Sequence, residues 1–139
     1  MKESIAVVEE PVSNLDVYAE ISIGYTSTTS LKAQPLPAGG WKLIEHETAP
    51  YSRDFDLDEK PIEWAAQFDT RNWALLSAMS GTRRVGGAVL AYDTPGVNML
   101  EGRTDMTVLW DIRVDPEFRG QGVGRMMFRA AEAWARRKG

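Results

Sequence analysis

The chain has no cysteine and one histidine, His46, among its 139 residues. The first absence excludes disulfides, a thiol nucleophile and thiolate-bound zinc, and a single imidazole cannot build a histidine-rich cluster, so no metal is expected. Long apolar runs are lacking too, and nothing approaches the ~20 residues that span a bilayer. The start, MKESIAVVEEPVSNLD, has no basic segment, apolar stretch or small-residue cleavage site of a secretory signal. A cytoplasmic setting with no membrane partner is the expectation. Positive charge is scarce overall, at a net −4, and it is gathered at one end: Arg119, Arg125, Arg129, Arg136, Arg137 and Lys138 stand against Glu132 alone, which leaves the first 118 residues at −9. One short basic helix on an acidic chain lacks the broad positive face that binds a phosphate backbone, so no nucleic-acid partner is expected.

What is present suits a single globular domain over residues 1–139. Hydrophobic residues make up 43% and charged residues 26%, and this length buries a core without crosslinks. After a polar N-terminal arm, expected to be loosely ordered, Tyr18 to Tyr25 alternates apolar and polar residues and predicts a strand. The following TSTTS and Pro35 to Gly40 are loop chemistry, and Trp41 to Glu47 predicts a short strand in which His46 is structural. Acidic residues before Pro61 mark a helix start leading into IEWAAQF. Trp73 to Met79 and Arg83 to Tyr92, separated by Ser80-Gly81-Thr82, predict an antiparallel hairpin, with Gly86-Gly87 marking a bulge or a close backbone contact. Thr107 to Val114 is a further strand, stopped by Asp115-Pro116. From Gly122 the chain turns helical, with Val123, Met126, Met127, Ala130 and Trp134 on one face.

The informative segment is Ile112-Arg113-Val114-Asp115-Pro116-Glu117-Phe118-Arg119-Gly120-Gln121-Gly122-Val123-Gly124-Arg125. Glycines at every second position let backbone N–H groups turn towards a ligand, and the helix that begins there adds unpaired amides and a positive dipole end. This is chemistry for phosphate. It is not a Walker loop, because Gly124-Arg125-Met126 offers neither the lysine nor the magnesium-binding hydroxyl. It is not a dinucleotide fingerprint either: the third glycine comes one position early, and too little chain follows for βαβ units.

Arg119-Gly120-Gln121-Gly122-Val123-Gly124 matches the Arg/Gln-x-x-Gly-x-Gly/Ala signature of the GNAT N-acetyltransferases. The resemblance extends to the preceding WDIRVDPEF and the following RMMFRAAEAWARRKG, and within the superfamily the chain looks most like the streptothricin acetyltransferase group. It implies an α/β fold of α+β type, a mixed, mainly antiparallel sheet flanked by helices, with acetyl-CoA as cofactor. The backbone amides of Arg119, Gly120, Gln121, Gly122, Val123, Gly124 and Arg125 would hold the coenzyme pyrophosphate. The pantetheine arm would lie along residues 109–114, touching Ile112, Arg113 and Val114. Arg119 and Arg125 would add charge-assisted contacts or stand as solvated cations, and the Val114 N–H would polarise the thioester carbonyl.

Family chemistry is direct attack by an amine, so the protein needs to align the reactants and move protons rather than supply a nucleophile. Asp111 is the leading candidate for proton removal, with ammonium binding or pairing to Arg113 as its other roles, and Asp105 is a weaker candidate. Asp54, Asp56, Asp58 and Glu59 would attract a cationic acceptor or serve as a solvated helix start. Trp41, Tyr51, Trp64 and Trp73 would line its pocket or belong to the core. The family pattern continues past this helix into a strand, another helix and closing strands, and no tyrosine follows Tyr92 here. The expectation is therefore a GNAT domain truncated after the pyrophosphate helix, with the edge of strand 107–114 covered by another subunit in a homo-oligomer or by the N-terminal arm. The expected activity is acetyl transfer to a primary amine of a small cationic molecule, conferring antibiotic resistance. Protein N-terminal or lysine acetylation and a non-catalytic acyl-CoA-binding module are the alternatives.

Overall fold

In the computed structural model, which describes residues 4–139, the chain runs through β1 (Ile5–Glu10), α1 (Leu15–Tyr18), β2 (Tyr25–Pro35), β3 (Trp41–Arg53), α2 (Pro61–Gln67), β4 (Ala74–Ser80), β5 (Arg83–Tyr92), β6 (Thr107–Val114) and α3 (Val123–Lys138). Strands β1, β4, β5 and β6 form one antiparallel sheet in the order β1-β4-β5-β6, and β2 and β3 form a separate two-stranded ribbon. The expected antiparallel sheet flanked by helices is thus observed.

The predicted hairpin is the centre of the sheet. Its strands β4 and β5 are almost wholly apolar because both faces are covered. One face packs Leu75, Val89 and Ala91 against Leu15 and Tyr18 of α1 and Trp64 of α2. The other packs Leu76, Val85, Ala88 and Leu90 against Val123, Met127, Ala131 and Trp134 of α3. Helix α3 therefore buries the stripe that its spacing predicts, with Ala131 more deeply placed than Ala130. Gly86 and Gly87 combine both suggested roles. The β4–β5 register shifts beside Gly86, between Ala78 and Met79, and a Cβ on Gly86 would come within 2.9 Å of Val123 Cγ1. In α2, Pro61 opens the helix and Glu63 Oε2 accepts the Lys60 N–H at 2.9 Å, closing its first turn.

Several expectations from the N-terminal half are corrected. The arm is not loose from residue 5 onward: IAVVEE is strand β1, paired with β4 from Ile5↔Ser80 to Glu10↔Leu75, while residues 1–3 lie outside the described residues. It lies on the far edge of the sheet from β6, so it does not cover the β6 edge. Tyr18 to Tyr25 is not a strand. Leu15, Tyr18 and Ile21 recur at three-residue spacing and each is buried, so the helical turn wins over the alternation. TSTTS is strand rather than loop, since β-branched threonines suit an exposed ribbon, and its partner β3 runs on to Arg53 instead of ending at Glu47. His46 lies within this ribbon, 3.0 Å from Ser30 Oγ.

Candidate active site

Strand β6 is the axis of the site. Its register with β5 slips between Val89↔Asp111 and Leu90↔Leu109, so Trp110 is the extra residue of a β-bulge. In a regular strand, neighbours face opposite sides. The bulge instead turns both Trp110 and Asp111 towards the α1/α2 side, where they line one cavity. The other edge of β6 has no partner strand among the described residues. Asp115 donates its N–H to Val85 O at 2.8 Å, so alternation turns the N–H and C=O of Val114 to that open edge, and Val114 O there accepts Arg119 Nε at 3.0 Å.

A cleft of about 360 Å³ follows this edge, lined by Ile112, Arg113, Val114, Arg119 and Gly124 together with Ile23 and Tyr25. Five expected cofactor-contacting residues are thus brought to one groove. Beyond it, Asp115 Oδ1 accepts the Glu117 N–H at 2.9 Å and ends the strand. Gly120 and Gly122 adopt φ of +77° and +87°, which L side chains rarely enter, and a Cβ on either would meet nothing within 4 Å. The turn is shaped by glycine and open on its outer side. The first bond of α3 joins the Met126 N–H to Gly122 O at 3.1 Å, so the N–H groups of Val123, Gly124 and Arg125 lie in the first turn, where a helix offers them no acceptor. An anion, a pyrophosphate included, fits this donor set. Gln121 uses its side chain locally, donating to Glu117 O at 3.1 Å.

Arg119 lines the groove and also braces it. Its guanidinium donates to Val114 O, to Gly24 O at 2.7 Å and to Ser22 O at 3.0 Å, which ties residues 22–24 to the turn. Arg125 is exposed on the first turn of α3.

On the other side of Ile23 and Arg113, which line both spaces, a second cavity of about 320 Å³ is walled by Phe55, Trp64, Met99 and Trp110 and carries Asp56, Asp58, Glu59 and Asp111. Trp64 and Trp110 meet edge to face with centroids 6.3 Å apart. The carboxylates have distinct tasks. Glu59 accepts Trp64 Nε1 at 3.3 Å, Asp54 caps the turn at Phe55–Leu57, and Asp56 takes Arg113 through both oxygens at 2.9 and 3.1 Å. Arg113, with a side chain only 1% exposed, also donates to Asp111 Oδ2 at 2.9 Å and to Ile21 O at 2.9 Å. Burial alone would weaken its hold on a proton, but the bonds to Asp56 and Asp111 outweigh this and raise its pKa further. One buried cation thus faces two carboxylates, and with Asp58 and Glu59 alongside, the cavity is net negative.

Other candidates fall outside. Asp105 is exposed and paired with Arg103 at 2.8 Å. Trp73 is core, Trp41 stands 69% exposed on the ribbon, and Tyr51 bonds Thr29 O at 2.8 Å, so of the four aromatic residues only Trp64 reaches the cavity.

The acetyltransferase (GNAT) family model matches residues 41–139, most of the chain and the whole of the β6-turn-α3 unit. The chain belongs to this family. No sequence among the curated proteins matches it. Among solved structures, a protein assigned as a streptothricin acetyltransferase from Bacillus anthracis strain Ames, in complex with acetyl coenzyme A, superposes with a TM-score of 0.64 at 20% identity, covering 97% of this chain and 67% of that one. Nourseothricin acetyltransferase gives a TM-score of 0.65 at 20% identity, covering 96% and 68%. At that identity the shared feature is the fold. In this GNAT chain, the site residues without a sequence signal are Ile23 and Tyr25, which sit in a misassigned strand, and Tyr18, whose hydroxyl reaches Asp111 across 93 residues of sequence. The bulge at Trp110 is equally silent, since it shows only in the pairing register.

Proposed function

We propose that the chain transfers the acetyl group of acetyl-CoA to a primary amine of a small cationic molecule, with streptothricin-type antibiotics as the first acceptors to test. The observation that carries this is the meeting of two spaces at Ile23 and Arg113: the groove along the open edge of β6 and the acidic, aromatic cavity beside Asp111. A cavity of about 320 Å³ is on the scale of small-molecule sites, and carboxylates with aromatic faces suit an ammonium group. The solved relative with acetyl coenzyme A and the two antibiotic acetyltransferase names support the same donor and acceptor classes.

In this reading the amides of residues 119–125 hold the pyrophosphate, Arg125 adds charge, and the outward Val114 N–H is the donor for a thioester carbonyl. Bound acetyl-CoA supplies the activated acetyl group. Residues Asp58 and Glu59 draw the cationic acceptor in, Trp110 presents its ring, and Asp111 holds the reacting ammonium or takes its proton. Release of free thiol from acetyl-CoA with nourseothricin, set against a lysine-containing peptide panel, tests the reading. Thiol release with the antibiotic supports it, and release with the peptides alone replaces it with protein acetylation. No release with either, in a chain that binds the coenzyme, leaves only a binding module.

A further inference from the structure

Asp111 is held by two donors that both use the same oxygen. The Tyr18 hydroxyl donates to Asp111 Oδ2 at 2.5 Å, and Arg113 Nε donates to Oδ2 at 2.9 Å. Neither bond uses Oδ1, and Asp111 lines the cavity. Tyr18 is fully buried, and its ring lies under the Arg113 guanidinium at 4.9 Å. The same ring rests on bare backbone, for a Cβ on Gly87 would come within 2.6 Å of Tyr18 Cε2. The ring is therefore packed against both a glycine and a buried cation, with its hydroxyl on Asp111. Burial and the neighbouring Asp111 charge raise the phenol well above its ordinary pKa, so it remains a proton donor.

We propose that Tyr18 is a positioning residue for the acceptor amine: with Arg113 it pins Asp111 Oδ2, so that Oδ1 is presented at a fixed place and angle to the ammonium group. This rests on the acetyl-transfer reading given above, and it adds a residue from the N-terminal helix, outside the 41–139 family match. Two carboxylates around one guanidinium leave the group net negative. With Arg113 and Tyr18 both on Oδ2, Asp111 keeps its other oxygen whole for a cation, whereas Asp56 has each oxygen engaged once by the arginine. Asp56 holds the arginine, and Asp111 is left to meet the acceptor.

The test is a double-mutant cycle of Tyr18→Phe and Asp111→Asn in the full chain, read in two ways. The first is steady-state acetyl transfer to nourseothricin. The second is quenching of tryptophan fluorescence by nourseothricin without coenzyme, since Trp64 and Trp110 line the cavity. Tyr18→Phe keeps the ring on Gly87 and removes only the hydroxyl, and a hydrogen bond to a charged group is worth about tenfold or more. The expected result is a rise of about tenfold in KM for the amine and in its fluorescence Kd, with KM for acetyl-CoA unchanged. In the Asp111→Asn background the same change should cost less than about twofold, because its effect passes through Asp111. Equal losses in both backgrounds, a parallel loss of coenzyme affinity, or no change in amine affinity would each overturn the proposal. A wild-type chain that quenches with nourseothricin but releases no thiol contradicts the acetyl-transfer reading, yet leaves the Tyr18 comparison legible in the fluorescence arm.

Discussion

Arg84 reaches across β4 to Glu10, meeting both carboxylate oxygens at 2.6 Å with side chains only 17% and 14% exposed. The pair fastens β1 to the sheet. Burial would push the Glu10 carboxyl up, but hydrogen bonds from Arg84, Ser77 and Asn14 outweigh it and lower the pKa to about 2 from an ordinary 4.5. A carboxyl held lower in the folded state contributes stability that is present above its unfolded pKa and is lost as pH falls through the folded one. Denaturant titrations are therefore expected to show stability falling between about pH 4.5 and about pH 2. Glu10→Gln should flatten that acid limb, and an unchanged limb would remove Glu10 from the account.

Arg113 should be the most costly single loss in the site. Arg113→Met leaves Asp56 and Asp111 facing each other without a cation, and removing one partner of a buried pair costs about 3–5 kcal/mol. Urea denaturation measures it. A loss under about 1 kcal/mol would show that water screens the pair as on a surface.

The β5 glycine beneath Tyr18 predicts an overpacking penalty. A Cβ at Gly87 also comes within 2.9 Å of Leu76 O, which is backbone and cannot swing aside. Gly87→Ala is expected to destabilise by about 1–3 kcal/mol or more, measured by thermal or chemical unfolding, and a neutral substitution would contradict the packing described.

The glycine turn proposed to hold the coenzyme predicts a loss of ligand response without a large loss of fold. Gly122 lies at φ +87° with open space beside it. A glutamate there adds strain of about 1–2 kcal/mol and a negative charge where a pyrophosphate would sit. Acetyl-CoA should raise the melting temperature of the wild-type chain and leave Gly122→Glu unmoved. An equal rise in both would place the coenzyme elsewhere.

The β6-turn-α3 unit was legible because its signals are local. Alternation ends at Asp115-Pro116, glycines recur at every second position, and one apolar helical stripe follows. The central hairpin was legible for the same reason. The N-terminal half was not: β1 is a six-residue strand whose partner begins 64 residues after its own end, and Tyr18 alternates like a strand while packing like a helical residue. In the site, Asp111 and Arg113 could be named from sequence, but not the bidentate claim of Asp56 on Arg113, nor the capture of the Arg119 guanidinium by the carbonyls of Ser22 and Gly24. Those contacts join segments about 60 to 100 residues apart and depend on tertiary register, which a one-dimensional pattern does not carry.

The central claim is that the β6 groove and the acidic cavity, which meet at Ile23 and Arg113, form one site in which Asp111 serves the acceptor. Its most direct test is Asp111→Asn, assayed for acetyl transfer to nourseothricin and for the acetyl-CoA melting shift on the same sample. Turnover is expected to fall about 100-fold, the scale of a lost proton-transfer or orienting group, with the coenzyme shift intact. Full turnover in the variant, or loss of the coenzyme shift together with turnover, would contradict it.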